Sequence, residues 1–147
     1  MSQLITDINL GFVYLIVSTK ECRFAYVGET GCIRRRLQEH NSGHGSRFTN
    51  NPLLRPWGLM VIISGFPGIG EHALNVTARK AFEARWHFRN ARLPTADVHG
   101  ITATGREVFA IATQTNPDLV WQEFATVSVV HEAQHVVPQH IRLEIPV

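Results

Sequence analysis

The sequence predicts an α+β fold, with a small central and mainly antiparallel β-sheet, flanking helices and extra strands at the C-terminal end. Short apolar runs rich in β-branched and aromatic residues fill 10–18, 23–28 and 57–66, as strands do. Residues 71–90 instead repeat apolar positions at three- and four-residue steps, as an amphipathic helix does. With 147 residues, 44% of them hydrophobic, the chain can bury one real core. No apolar run is long enough for a membrane span, so no membrane association is expected.

The first two predicted strands form a hairpin, because only the polar residues 18–21 separate them. Gly28 ends the second strand. Thr30 is the candidate cap of a helix over 33–40, which the turn-forming residues 41–43 end.

The middle of the chain alternates a loop, a strand and a helix. Residues 43–56 are rich in Gly, Ser, Asn and Pro and predict a loop, and 57–66 predict a buried strand. A turn at 67–70 leads into the helix over 71–90, which Pro94 closes. The positions that carry the helical period are Ala73, Leu74, Thr77, Ala81, Ala84 and Phe88.

After about residue 100 the pattern returns to strands. Residues 107–113 (EVFAIAT) and 141–145 are predicted strands, and 119–137 are apolar and β-branched. We therefore divide the chain into a domain over 8–98 and a C-terminal extension over 99–147 packed on the same core.

Charge is unevenly distributed. Residues 1–100 hold ten Arg and two Lys against seven acidic residues, whereas 101–147 are net acidic. Arginine grips phosphate through a planar fork of donors, so the basic part suits a nucleic-acid partner, although a solvated surface explains it equally well. The candidate DNA-binding residues are Arg34, Arg35, Arg47 and Arg55.

Two features of the sequence predict the cellular compartment of the protein. The first nine residues lack the cationic start and apolar stretch of a signal peptide. Cys22 and Cys32 are too few for a disulfide framework and are expected to be free thiols. We therefore expect an intracellular protein that is not secreted.

Two segments twelve residues apart carry a family resemblance. Phe12-Val13-Tyr14 and Tyr26-Val27-Gly28 are followed by Arg36, eight residues after Gly28, and by His40, four residues later. This order resembles the GIY-YIG nuclease family over about residues 10–95. The first segment departs from the family's Gly-Ile-Tyr, since Gly11 stands one residue early, but Tyr14 keeps its position.

The resemblance implies a metal-dependent phosphodiesterase acting on DNA. Its catalytic residues would be Tyr14, Tyr26, Arg36, His40 and Glu83, with Glu83 as ligand of Mg²⁺ or Mn²⁺. Mg²⁺ keeps several waters and uses few carboxylates, and arginine stabilises the charge that develops on phosphate. Tyr14 is the expected general base, with its pKa lowered by the metal or by Arg36. Asn90 is a weaker candidate for a supporting role.

The middle of the chain narrows the resemblance to the catalytic subunit of structure-specific endonucleases, which resolve branched DNA. The segments that carry this likeness are 40–43, 47–49, 56–57, 65–67, 73–74 and 82–87. That family adds a zinc-binding RING-type domain. No cysteine follows Cys32, so that domain is not expected here. The C-terminal extension is the candidate surface for a homodimer or a protein partner.

Two alternatives remain open at this point. One is a nucleic-acid-binding module that keeps the fold without catalysis. The other rests on His131-Glu132-Ala133-Gln134-His135, an H-E-x-x-H motif that on a helix holds zinc. A zinc hydrolase needs a third ligand, and Pro138 would interrupt a helix before the nearest candidate, His140.

Overall fold

The computed structural model describes residues 11–21, 23–68 and 73–124 of the chain. They form a four-stranded antiparallel sheet with three helices, which confirms the predicted α+β class. The strands are β1 (Phe12–Ser18), β2 (Ala25–Thr30), β3 (Trp57–Ser64) and β4 (Val120–Glu123), and the helices are α1 (Ile33–Ser42), α2 (Ala73–Asn90) and α3 (Val98–Ala112). Among these residues no helix is both long and apolar enough to cross a bilayer.

The sheet places the two tyrosine segments side by side. The strand order is β2-β1-β3-β4, and every residue of the central strand β1 is buried. In the antiparallel β1–β2 register Tyr14 lies opposite Gly28, and Ile16 lies opposite Tyr26. Residues two apart on a strand share a face, so Tyr14 and Tyr26 are diagonal neighbours on one face of the sheet.

Helix α1 forms where it was predicted, but its cap differs. Its buried side chains are those of Ile33, Leu37 and His40, and Gly43 ends it with a left-handed φ of 86°, as glycine often does after a helix. The capping role given to Thr30 was wrong. Cys32 occupies the N-cap position, and the Thr30 hydroxyl accepts a hydrogen bond from the Cys32 amide at 3.1 Å. Thr30 therefore fixes the link from β2 into the helix.

Helix α2 confirms the predicted helix, but the apolar period of the sequence does not mark the face that the helix buries. The residues it buries are Asn75, Arg79, Phe82 and Trp86. Leu74 and Phe88, two of the positions that carry the helical period, are each 62% exposed. Hydrophobic periodicity could not identify the true face, because two of its four residues are polar and are buried through hydrogen bonds and an ion pair.

Helix α3 corrects the prediction of a strand over 107–113. The Asp97 side chain accepts a hydrogen bond from the Gly100 amide at 2.8 Å and caps the helix. Its buried positions recur with helical spacing: Val98, Ile101, Thr104, Gly105 and Val108. The prediction failed because residues 107–113 have high β-propensity when they are taken alone. The helical spacing of the buried residues shows only when the segment is taken from residue 98 onward.

Several predictions fall partly or wholly outside the described residues. Strand β4 lies within the apolar stretch over 119–137, while the strand over 141–145 and the H-E-x-x-H motif lie outside the described residues. Cys32 is a free thiol, and Cys22 is not described. The division at residue 98 stays a prediction, although α3 packs on α2 and β4 pairs with β3.

Candidate active site

Tyr14 lies at the centre of the candidate site, in the middle of strand β1. Its side chain is almost fully buried. Gly28, directly across the ladder, leaves room for the ring: a Cβ at that position would lie 2.3 Å from the Tyr14 hydroxyl. The glycine of the second segment thus serves the tyrosine of the first, which explains physically why the two segments occur together.

His40 of α1 contacts the Tyr14 hydroxyl directly. The Tyr14 Oη and His40 Nε2 atoms are 2.7 Å apart, and both side chains are buried. The other ring nitrogen, Nδ1, lies 2.6 Å from the Thr49 hydroxyl. Both nitrogens of the imidazole therefore have hydrogen-bond partners, and the ring orientation is fixed from two sides.

Thr49 belongs to a tight turn that the sequence reading treated only as a loop. The Thr49 and Ser46 side chains each accept a hydrogen bond from the other's backbone amide, at 2.9 and 3.1 Å. Trp57 Nε1 donates to the Thr49 carbonyl at 3.0 Å. A Ser and a Thr three residues apart within a Gly- and Asn-rich segment are typical of such turns, and that spacing was the available signal for Thr49.

Tyr26 completes an aromatic wall around the imidazole. Its ring centroid lies 5.3 Å from that of His40 and 6.4 Å from that of Tyr14. On its other side it stacks with Phe48 at 6.3 Å, with 23° between the ring planes. Tyr26 is only partly buried, so it links the buried pair to the surface.

Arg36 lies half-buried on the same helix as His40 and near the Tyr14 phenol. Its Nη1 donates to Glu39 Oε1 at 2.8 Å. Burial opposes the charge of Arg36, but the hydrogen bond with Glu39 and the nearby Tyr14 phenol outweigh it and raise its pKa. The guanidinium is therefore a permanent positive charge beside the Tyr14–His40 pair.

Burial keeps both members of that pair neutral. Desolvation raises the pKa of Tyr14 well above its ordinary value, and the charges of Tyr26 and Glu83 add to this effect while Arg36 opposes it. Desolvation, followed by the positive charge of Arg36, lowers the pKa of His40 to about 4. At neutral pH the site therefore holds a phenol and a neutral imidazole.

Glu83 lies on α2, and its charge is one of the smaller influences that raise the pKa of Tyr14. The Glu83 side chain is partly buried and pairs with His87 at 3.7 Å. Within the described ranges no three His, Cys, Asp or Glu residues cluster as a metal site. One carboxylate with a single weak ion pair suits a hard cation that keeps most of its waters. Glu83 thus fits a ligand of Mg²⁺ or Mn²⁺.

A second acidic residue ties α2 to the strand that carries Gly28. Glu29 accepts hydrogen bonds from Arg79 Nε at 2.6 Å and from Lys80 Nζ at 2.9 Å. Although burial opposes it, these two cations lower the pKa of Glu29. Arg79 also donates to Asn75 Oδ1 at 2.9 Å. Sequence reasoning missed this network, and helical spacing offers one signal, since Arg79 stands one turn before Glu83.

The other candidate residues divide between surface and interior. Arg34, Arg35 and Arg47 are exposed. The half-buried Arg55 guanidinium packs behind the end of α1, where a Cβ on Gly43 would lie 2.9 Å from its Nη1. Asn90 accepts a hydrogen bond from Thr104 of α3, so it lies at the contact between α2 and α3.

Comparisons with known proteins identify the family of this chain. A family profile described as the GIY-YIG catalytic domain matches residues 10–91. The chain is 36% identical over 86 residues to the structure-specific endonuclease subunit SLX1 of Yarrowia lipolytica. These aligned residues cover 56% of this chain and 28% of that protein. The SLX1 subunit of Ajellomyces capsulatus is 32% identical over 106 residues, or 65% of this chain and 24% of its own length. The chain thus spans about a quarter of these curated relatives.

Proposed function

This chain belongs to the GIY-YIG catalytic domain family, and from that premise we propose that it is a metal-dependent endonuclease that hydrolyses phosphodiester bonds in DNA. The observation that carries the proposal is the convergence on the Tyr14 phenol. His40 contacts it at 2.7 Å, and the charges of Arg36 and Glu83 act on it from two different helices. A buried phenol, an imidazole, a fixed cation and a carboxylate supply the groups that phosphodiester hydrolysis needs.

Arg36 and Glu83 handle the charge of the scissile phosphate. Arg36 donates to a non-bridging oxygen and stabilises the negative charge of the transition state. Glu83 would hold the Mg²⁺ or Mn²⁺ ion, which would supply Lewis-acid stabilisation of the charge on the phosphate. Tyr26, next to the pair and partly exposed, orients the phosphate.

Tyr14 and His40 move the proton. The Tyr14 hydroxyl donates to His40 Nε2, and Nδ1–H donates to Thr49. As the attacking water loses a proton to the Tyr14 oxygen, the Tyr14 proton passes to His40. Burial sets the two pKa values far apart in the free protein, so this relay depends on substrate. The negative charge of the bound phosphate favours the imidazolium form of His40.

DNA is held by positive charge outside this centre. Arg34 and Arg35 of α1 and Arg47 of the following turn are exposed and contact phosphates, and the half-buried Arg55 supports that surface. The likeness to SLX1 subunits, named as structure-specific endonucleases, makes branched DNA the first substrate to test. The C-terminal extension is the proposed partner-binding part, and the compartment is intracellular.

A nicking assay on plasmid DNA, with flap, junction, duplex and single-stranded substrates in parallel, tests this proposal. Wild type is expected to cut with Mg²⁺ or Mn²⁺ and to stop with EDTA. Glu83→Gln removes the ligand charge and is expected to lower cleavage by at least about 100-fold. The matched control is Glu107→Gln, the same change at an exposed position on α3 that pairs with Arg89 at 3.1 Å.

Two outcomes would overturn the proposal. Metal-dependent cleavage by Glu83→Gln at the wild-type rate would remove Glu83 from the site. DNA binding without scission on any substrate, in the presence of either metal, would instead favour the non-catalytic module.

A further inference from the structure

An exposed aromatic ring borders the candidate site and has no part in the chemistry described above. Phe48 is 42% exposed, although it lies in the turn whose Thr49 anchors His40. Its ring stacks on Tyr26 at 6.3 Å and lies 5.7 Å from the Trp57 ring. Phe48 therefore continues the aromatic wall of the site outward to the surface.

Phe48 is one member of a strip that we call the aromatic ledge, formed by Tyr26, Phe48 and Phe24. Phe24 lies 6.4 Å from Phe48, and the Arg23 guanidinium lies 5.0 Å above the Phe24 ring. The exposed Arg47 precedes Phe48 in the chain. The ledge thus begins at the candidate site and ends at Phe24, where the Arg23 guanidinium lies over the ring.

We propose that Phe48 is a base-stacking subsite that receives the unpaired nucleobase of a nucleotide adjoining the scissile phosphate. Every base has a π-face, and stacking on an aromatic side chain is the common way in which proteins hold unpaired nucleotides. The guanidinium of Arg23 suits the sugar-phosphate backbone of the same strand. This inference rests on the proposed function, because the ledge is placed relative to that phosphate site.

The rigidity of the turn supports a binding role. Gly45 N donates to Asn50 Oδ1 at 2.8 Å, and Trp57 Nε1 holds the Thr49 carbonyl. The Phe48 ring is therefore presented on a backbone that is fixed before any ligand arrives, which lowers the entropy cost of stacking. A ring that served only as core filler would be buried like its neighbour Trp57, which is 0% exposed.

The test combines substitutions of Phe48 with removal of single nucleobases from the substrate. Phe48→Leu keeps apolar volume and removes the π-face, and Phe48→Trp retains it. Each variant is assayed on substrates in which a single nucleotide, on either side of the cut, is replaced by an abasic one. For wild type the abasic nucleotide at the stacked position is expected to lower kcat/KM about 10-fold. Phe48→Leu should lose about the same factor on the intact substrate and nothing more on the abasic one.

The control is Leu53→Ala, another exposed apolar residue of the same loop at 74% exposure, which should respond to the abasic nucleotide as wild type does. If Phe48→Leu retains the wild-type abasic penalty, or if no abasic position affects wild type, the subsite is refuted. If the exposed Phe48 ring binds a protein partner instead of a base, no abasic position should affect wild type.

A binding measurement keeps this inference separate from catalysis. 2-Aminopurine is scanned through the same oligonucleotides with Glu83→Gln protein, which is expected to bind without cutting. Quenching of the 2-aminopurine fluorescence at one position supports the subsite if it is lost in the Glu83→Gln, Phe48→Leu double variant. This result holds even if wild type proves unable to cleave. Absence of quenching at every position refutes it, whatever the outcome of the cleavage assay.

Discussion

The hydroxyl of Tyr14 lies 2.7 Å from Nε2 of His40, although the two residues are 26 positions apart. The contact joins strand β1 to helix α1, and strand β2 lies between these two elements in the sequence. It is buried, and its far side is closed by the bond from His40 to Thr49. The geometry of the pair is therefore fixed in the free protein, which suits the proton transfer proposed for it.

Tyr14→Phe removes the hydroxyl and keeps the ring. We expect metal-dependent cleavage to fall at least about 100-fold, because the proposed route for the proton is gone. The cost in stability should be about 1–3 kcal/mol, because His40 Nε2 stays buried without its partner. Cleavage kinetics and urea denaturation measure the two effects. Cleavage within threefold of wild type would exclude Tyr14 as the general base.

Gly28→Ala tests the space that the glycine leaves for Tyr14. The new Cβ would lie 2.3 Å from the Tyr14 hydroxyl, so the ring must move away from His40, and we expect both cleavage and stability to drop. The control is Gly100→Ala in α3, whose Cβ would come no closer than 3.2 Å to the end of the Leu93 side chain. That variant should fold and cleave like wild type. A Gly28→Ala protein as active as this control would contradict the steric role.

Most of the candidate site was accessible from sequence because the chain keeps the motif spacing of the family that it resembles. Tyr14, Tyr26, Arg36 and His40 stand at strand and helix intervals that fix their faces, and the structure brings them together. Thr49 was missed because its link to His40 runs through a turn, whose geometry no periodicity reports. Asn75 and Arg79 were missed for another reason: their burial depends on partners contributed by distant segments, so residue type alone places them on the surface.

Helices α2 and α3 show the same limit, although only α3 was predicted as the wrong type of element. In α2 the apolar stripe predicted at Leu74 and Phe88 is solvent-exposed, and in α3 a β-branched run was read as a strand. Both errors arose from judging residues by hydrophobicity or local propensity. Tertiary contacts, such as the hydrogen bond from Trp86 Nε1 to the Ile101 carbonyl at 2.8 Å, decide which face of each helix is covered.

The low pKa of His40 predicts how stability depends on pH. The unfolded chain binds a proton near pH 6.5, whereas folded His40 does so only near pH 4. The unfolded state therefore binds more protons between these values. The contribution of His40 is complete above pH 6.5 and is lost as pH falls towards 4. We expect a loss of up to about 3 kcal/mol over that window.

His40→Gln should flatten this slope, because no imidazole titrates at that position. The control His44→Gln changes an exposed histidine four residues on and should keep the wild-type slope. Urea denaturation from pH 7 to pH 4.5 supplies the free energies of unfolding. Parallel curves for wild type and His40→Gln would show that folded His40 is not protected from protonation.

The last prediction concerns Glu29, which two cations contact with very different exposure. The Arg79 side chain is 7% exposed and the Lys80 side chain 58%. Arg79→Met leaves a mostly buried carboxylate without its inner partner, and we expect a loss of about 3 kcal/mol. Lys80→Met removes a solvent-screened partner and should cost less than about 1 kcal/mol.

Arg79 also stands one turn before Glu83 on α2, so a loosened contact with β2 moves the proposed metal ligand. Arg79→Met should therefore raise the Mg²⁺ concentration needed for half-maximal cleavage, measured at a temperature where the variant is fully folded. Lys80→Met is the matched control and should leave that concentration unchanged. If both variants lose the same stability and bind the metal alike, the buried ion pair does not position α2 against the strand.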